Sequence, residues 1–507
     1  MAKNTFMNAL ENEFNYDRTT NGALAHKTTR SKVYDMFALG GAYRQRSESD
    51  CIFLFKEAYD ENPTLAVKCL FYRRDCRGGQ GERRFFRVCF RWLCLEHPNH
   101  ARKLLIHISE YGRWDDLIYC TMGTPVESTM LDIIDKQLIL DLDSKTPSLL
   151  AKWMPSENAS SYVTQAAARR IINKLGGKPK NYRKALSILR KRINIVERLM
   201  SENRWDEIEF DKIPSKAGLV YKNAFARRDI IAKKYESFAK DKNTKVNATT
   251  LYPYEVVRKV TAHCNYRGYF GNDVDRAMIN KYWDNLPDYF NGAEASMMCV
   301  VDTSGSMTWG MKGNVMPIDI AISLGLYCAE HMKGPFAGHY ISFASRPQLI
   351  ETSGVDFCDK VGRIYKTNLC DNTNLTAVFN MLLNTIKSNS KIKTEDIPKT
   401  IVVISDMQID QGVELNSGRY YNRDKINQQF LTEMESVRIK WKRAGYKMPN
   451  LVYWNVNASK DTFLDLGPGV SYCSGCSPTL FKQVLTGKTG YDLMIDTICS
   501  KRYEPIK

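Results

Sequence analysis

From about Gly292 onward, short apolar runs and amphipathic segments take turns along the chain. This alternation narrows the possible folds more than any other feature. The runs at Met297–Val301, His339–Phe343, Thr400–Ser405 and Leu451–Asn455 have strand length, and turn residues punctuate the stretches between them. Between the runs, Ile318–Met332, Thr376–Ile386, Gln428–Ala444 and Thr479–Leu485 carry helical spacing. Strands alternating with helices predict a doubly wound, mainly parallel sheet, in which ligands gather beyond the carboxyl ends of the strands.

One of those ends is rich in oxygen. Met297–Val301 runs directly into Asp302-Thr303-Ser304-Gly305-Ser306, with Gly305 read as the residue that lets the chain turn. The side chains of Asp302, Ser304 and Ser306 would converge there, and hard cations take such oxygen clusters. A helix-capping loop with hydroxyls is the other reading. Two more loops are expected to join the first if a cation is bound. Asp371-Asn372-Thr373-Asn374 precedes a helix, so Thr373 can project from its start, and the run Ile401–Ser405 ends in Asp406.

The first half reads differently. At 507 residues the chain exceeds what one core organises, and two domains are expected, 1–290 and 291–507. Residues 1–290 show amphipathic helices at Ser31–Leu39, Cys51–Asp60, Arg83–Leu95, His100–Tyr111, Thr164–Leu175 (closed by Gly176-Gly177) and Tyr182–Met200. Helix after helix with brief connections predicts a stacked array of HEAT-like repeats, although no strict period is visible. Lys240–Thr250 reads as an exposed loop, and Trp114-Asp115-Asp116-Leu117 as a packing corner with Trp114 buried.

Charge is unevenly placed. Residues 1–290 hold 49 Lys and Arg against 35 Asp and Glu, whereas 291–507 hold 24 against 21. Residues 151–250 alone hold 23 against 10, and such an excess attracts a polyanion, above all nucleic acid. Solvated helix faces are the competing account. Candidate phosphate contacts in this window are Arg169, Arg170, Lys184, Arg190, Lys191 and Arg192. Upstream, Arg73, Arg74, Arg77, Arg83 and Arg84 surround the glycine-rich turn Gly78-Gly79-Gln80-Gly81. This turn is either a phosphate cradle at a helix start or an inter-helix corner whose arginines pair with Asp75 and Glu82.

Other signals exclude function classes. No window reaches the roughly 18 consecutive apolar residues of a membrane span, and no partnership with a membrane is expected. Fourteen scattered Cys suit a reducing compartment, the cytosol first and the nucleus second. Cys473-Ser474-Gly475-Cys476 has no second pair, so structural thiols outweigh zinc or redox chemistry. Thr486-Gly487-Lys488-Thr489 lacks the first glycine of a phosphate loop, since Lys482 stands there. An aspartyl-phosphatase reading of Asp302 suffers because Ser304 occupies the place of its second acid. With no nucleophile and base pair in view, no enzyme is expected.

The order D-x-S-x-S, then Thr, then a strand-terminal Asp resembles the metal-ion-dependent adhesion site of von Willebrand factor A domains. That resemblance implies Mg2+, or another divalent cation, held by Asp302, Ser304, Ser306, Thr373 and Asp406, directly or through water. It also implies an open place for an acidic group from a protein partner. Met407 follows Asp406 where that family often has Gly. The first half is similar to the Ro (TROVE-domain) relatives in Asn21-Gly22-Ala23, Arg73–Arg83, Tyr111–Leu117 and Lys152-Trp153-Met154-Pro155. The nearest likeness is to a branch, without an assigned reaction, in which a helical region precedes a von Willebrand A-like domain. Its members occur in plants, fungi and large DNA viruses. Ile213–Ala217, Tyr453–Val456 and Ser474–Ser477 resemble the same branch.

In Ro proteins the helical repeats form a ring closed by the A domain and hold structured RNA and single-stranded RNA ends. The resemblance therefore implies a non-catalytic RNA-binding protein, acting in RNA quality control or as a ribonucleoprotein scaffold. The competing expectation is a metal-dependent protein-protein interaction scaffold without RNA.

Overall fold

The computed structural model describes residues 7, 14–193, 195–265, 268–269, 271–308, 315–343, 346–366, 373–409, 433–458 and 460–507. Two compact units emerge. The first comprises Met1–Cys69, Tyr252–Gly271 and Leu286–Lys501, and the second Leu70–Leu251, Asn272–Asn285 and Arg502–Lys507. Packing thus does not divide at 290 and 291, because the amino-terminal residues belong with the sheet and the last six with the helices.

In the first unit the sheet strands are β1 (Met297–Asp302), β2 (His339–Phe343), β3 (Leu349–Glu351), β4 (Thr400–Ser405), β5 (Asn450–Asn455) and β6 (Val470–Ser474). They lie in the order β3-β2-β1-β4-β5-β6. All neighbouring pairs are parallel except β2 with β3. The four strands read from apolar runs are present because each central one is covered on both faces, as parallel strands require. β3 is three residues long with an exposed Leu349, and β6 carries Ser471 and Ser474 within its run, so neither has a continuous apolar signature.

Helix Pro317–His331 packs directly on β1, and a Cβ at Gly325 would lie 2.4 Å from Val301 Cγ2. Only glycine allows this close approach. The segment Lys32–Leu39, capped by the Ser31 hydroxyl, belongs to the same unit because it packs on β6. The Tyr472 N–H donates to the Tyr34 hydroxyl at 2.8 Å, and the Gly41 N–H donates to Ser474 Oγ at 3.0 Å. A two-stranded hairpin, Tyr16–Arg18 with Leu24–His26, joins the unit through backbone hydrogen bonds between His26 and Phe463. The first half is therefore not wholly helical.

The second unit is built from helices, among them Arg83–Glu96, Trp114–Thr121, Glu127–Asp143, Tyr162–Lys174, Pro179–Ile193, Ser215–Arg227, Asp229–Lys240 and Asp273–Asp284. The single helix expected over Tyr182–Met200 is two helices, Pro179–Ile193 and Val196–Ser201. Ile195 is extended, and apolar spacing runs through the break unchanged. Trp114 is only half-buried, whereas Asp116 is fully buried. In Lys240–Thr250, Val246 and Ala248 are buried, so that stretch is only partly exposed. No helix among the described residues is long and apolar enough to cross a membrane.

Candidate metal centre and basic surface

The strand order reverses between β1 and β4, which leave the sheet centre in opposite directions along the chain. A crevice opens at the carboxyl ends of such a pair. Asp302 ends β1, and Ser405-Asp406 end β4, so the topology alone brings the two acids to one place. Both are buried, at 0% and 2% exposure, as are Ser304 and Thr373.

Hydrogen bonds order the cluster. The Ser304 N–H donates to Asp302 Oδ1 at 2.9 Å, and the Ser304 and Ser306 hydroxyls lie 3.0 Å apart. The Ser405 hydroxyl donates to Asp302 Oδ2 and accepts from the Met407 N–H at 3.0 Å. The Gln408 N–H donates to Asp406 Oδ1 at 3.1 Å, and the Thr373 hydroxyl donates to the Gln408 carbonyl at 3.0 Å. Thr373 stands just before Asn374, whose side chain caps helix Leu375–Ser388. Asp371 and Asn372 lie outside the described residues.

Two details bear on the sequence reading. Gly305 has no left-handed backbone, and a Cβ there meets nothing within 4 Å among the described residues, so the turn does not depend on glycine. Met407 adopts φ +60°, the left-handed region that glycine enters without penalty. The sulfur-bearing side chain is buried, which offsets part of that strain.

The two acids repel one another. Burial pushes the Asp406 carboxyl up to about 7, and the nearby Asp302 charge adds to the rise. The Gln408 N–H and the Ser306 hydroxyl work in the other direction. Asp406 Oδ2 is buried without a hydrogen-bond partner among the described residues. Buried carboxylate oxygens are normally bonded, so an orphan beside a second carboxylate has the chemistry of a cation ligand. No group of three or more His, Cys, Asp or Glu suited to a metal occurs among the described residues. The cluster described here has two acids, and its other side-chain oxygens are hydroxyls. Sequence reasoning nominated Asp302, Ser304, Ser306, Thr373 and Asp406. It missed Ser405, which the β4 alternation places beside Asp302, and Gln408, which has no sequence signal.

The basic candidates separate into three groups. Arg73 and Arg74 are buried at 0% and 3% exposure, and Arg74 pairs with Asp116 at 2.6 Å. Arg87 completes that ion pair, with Nε 2.6 Å from Asp116 Oδ1. Around the glycine-rich turn, the Gln80, Gly81 and Glu82 N–H groups donate to the carbonyls of Tyr72, Asp75 and Arg73 at 3.1, 3.0 and 2.7 Å. A Cβ at Gly79 would lie 2.1 Å from the Tyr72 carbonyl oxygen. Asp75 is taken up by Arg502 and by the Tyr503 hydroxyl at 2.9 Å. The turn is a packing corner, with these N–H groups spent internally, and the phosphate-cradle reading does not survive.

A second group caps helices. Arg77 Nη1 donates to the Glu110 carbonyl. Arg190 donates to the carbonyls of Ala151 and Met154 at 2.9 and 3.1 Å, and Arg192 to those of Leu142 and Ser144 at 2.6 and 3.2 Å. Both sets of carbonyls lie at helix ends, where a guanidinium satisfies orphan acceptors. Arg170 pairs with Glu127 at 3.0 Å. The third group, Arg83, Arg84, Arg169, Lys184 and Lys191, has exposed side chains.

Two families match the chain, and both are described as domains of unknown function. DUF2828 matches residues 19–113 and 133–290, and DUF7788 matches residues 296–501. The chain is 28% identical over 523 residues to an uncharacterized protein of Acanthamoeba polyphaga mimivirus, covering 94% of this chain and 85% of the viral one. Similarity across nearly the full length shows that the helical and sheet-bearing halves occur together in that relative as well.

Proposed function

We propose that this chain is a non-catalytic binding protein of Ro-like architecture. Its von Willebrand A-like half holds Mg2+ or another divalent cation and receives an acidic group from a protein partner, and its helical half holds RNA. One observation carries the cation reading: Asp406 Oδ2, buried and without a hydrogen-bond partner among the described residues, lies close enough to Asp302 to feel its charge. When bound, the ion supplies positive charge and an open coordination place for a carboxylate. Asp302 and Asp406 contribute the negative charge that favours it. Ser405 holds Asp302, and the Gln408 carbonyl accepts the Thr373 proton.

The excess of 23 basic over 10 acidic residues within 151–250 supports RNA as the ligand of the helical half. Lys184, Lys191 and Arg169 are its exposed contacts on this reading, because the buried and helix-capping arginines are already engaged. A metal-dependent scaffold without RNA is the alternative, favoured by the same internal engagement of Arg73, Arg74, Arg190 and Arg192.

The test measures binding of the purified chain to structured and single-stranded RNA across salt. RNA binding is expected to weaken on Lys184→Glu with Lys191→Glu, and its salt slope to fall by about 0.7–0.9 per lost phosphate contact. Asp302→Ala is expected to leave it intact. Absence of salt-sensitive RNA binding, together with chelator-sensitive capture of an acidic partner, would establish the scaffold instead.

A further inference from the structure

The amino-terminal hairpin ends in a turn, Thr19 to Gly22, that meets the β4 loop within the first compact unit. Gly22, at φ +92°, closes the turn, and the buried Thr19 hydroxyl accepts the Ala23 N–H at 3.0 Å. The same hydroxyl donates to the Ile409 carbonyl at 2.7 Å, and the Asn21 side-chain amide donates to the Gln408 carbonyl at 2.7 Å. Gln408 is also the residue whose N–H, in the peptide before it, holds Asp406 Oδ1, and whose carbonyl, in the peptide after it, takes the Thr373 proton. Asn21 therefore stands one hydrogen bond behind two of the candidate cation ligands, although 387 positions separate it from Gln408 in sequence.

We infer that the Thr19–Asn21 turn is a built part of the cation site, a positioning element without which Asp406 and Thr373 lose their ligating orientation. The inference rests on the cation reading above. A hydroxyl that ligates a cation must send its proton elsewhere, and for Thr373 that destination is the Gln408 carbonyl. The left-handed Met407 before Gln408 gives the loop a strained backbone that a different loop conformation would relieve. The two hydrogen bonds from the turn, to the Gln408 and Ile409 carbonyls, hold the loop against that rearrangement. A turn that begins the DUF2828 match thus completes a site whose ligands lie in the DUF7788 match. Cation affinity becomes a property of the two together.

Titration of the full-length chain with Mn2+, followed by electron paramagnetic resonance, tests this, alongside melting in EDTA. Thr19→Val with Asn21→Ala is expected to weaken Mn2+ binding about tenfold or more, as loss of a group that orients a metal ligand does. Thr19→Ser keeps the hydroxyl and is expected to bind Mn2+ as the wild type does. The melting midpoint in EDTA is expected to fall for the double variant, which loses the buried Thr19 hydrogen bonds, and to stay near that of the wild type for Asn21→Ala, which is expected to weaken Mn2+ binding nonetheless. Should the double variant unfold, Asn21→Ala decides alone, since Asn21 is exposed and serves no packing role. Unaltered Mn2+ affinity in the folded turn variants, with wild-type binding that Asp302→Ala abolishes, overturns the inference and leaves the cation site standing. A wild-type chain that takes no Mn2+ removes both.

Discussion

Asp406→Asn replaces a buried charge that faces Asp302 with a neutral group of the same shape. Its effect follows from the geometry. A carboxyl whose ordinary value is 3.8 and which burial and Asp302 push up to about 7 binds its proton more tightly folded than unfolded. The sign of the linkage follows: the folded state loses stability as pH rises from about 4 to about 7, and the loss is complete above that window. At 1.36 kcal/mol for each pKa unit, the penalty in the cation-free protein at pH 8 is of order 4 kcal/mol. Relaxation of the crevice lowers this, and about 2 kcal/mol is a safer expectation on the same scale. The variant is therefore expected to melt several degrees above the wild type in EDTA at pH 8, and the gap to shrink at pH 5. On the cation reading, saturating Mg2+ is expected to reverse the order, because a cation at 100-fold its dissociation constant would stabilise only the wild type, by about 2.7 kcal/mol. Scanning calorimetry with and without Mg2+ reads both effects. If Asp406→Asn melts no higher than the wild type in EDTA at pH 8, the two acids are not held against their repulsion, and the reasoning fails.

Asp116→Ala is expected to cost about 3–5 kcal/mol, because it leaves the buried Arg74 without its counter-charge, while the half-buried Arg87 keeps only its pair with Asp115; a urea midpoint unchanged from the wild type would contradict this. Gly325→Ala drives a methyl group to within 2.4 Å of Val301 Cγ2, and about 1–3 kcal/mol of destabilisation is expected in the same assay. His26 is buried with neither ring nitrogen bonded among the described residues, and burial lowers its pKa, with Arg30 acting in the same direction and Glu435 and Asp465 opposing. Its contribution is therefore fully present above about pH 6.5 and lost as pH falls below it. His26→Phe is expected to flatten the melting curve's dependence on pH between 7 and 5.

Much of the sheet was legible because parallel strands buried on both faces leave continuous apolar runs. Met297–Val301 and Thr400–Ser405 need no tertiary information to be recognised. Their terminal acids were legible for the same reason, since a charge directly after a buried run must lie at a strand end. The edge strand Leu349–Glu351 was not legible, because three half-exposed residues carry no periodic signal. The break at Ile195 was hidden by apolar spacing that suits one long helix and two short ones equally well. Among the arginines, charge was visible but its use was not. Arg73 and Lys184 look alike in a sequence, and only packing sends the first into the core and leaves the second in solvent.

The sequence by itself determined which residues carry the candidate chemistry: Asp302, Ser304, Ser306, Thr373 and Asp406 were named from strand ends and loop order alone. Tertiary structure decided how those groups are held, through contacts that local pattern cannot encode. Strand order sets β1 beside β4, Gln408 links Asp406 to Thr373 through its N–H and its carbonyl, and Asn21, 387 positions away, holds that carbonyl. The physical reason is that periodicity reports which face of an element is buried, an average over many neighbours. A single hydrogen bond between a turn and a distant carbonyl depends on one geometry, and that geometry exists only once the chain has folded.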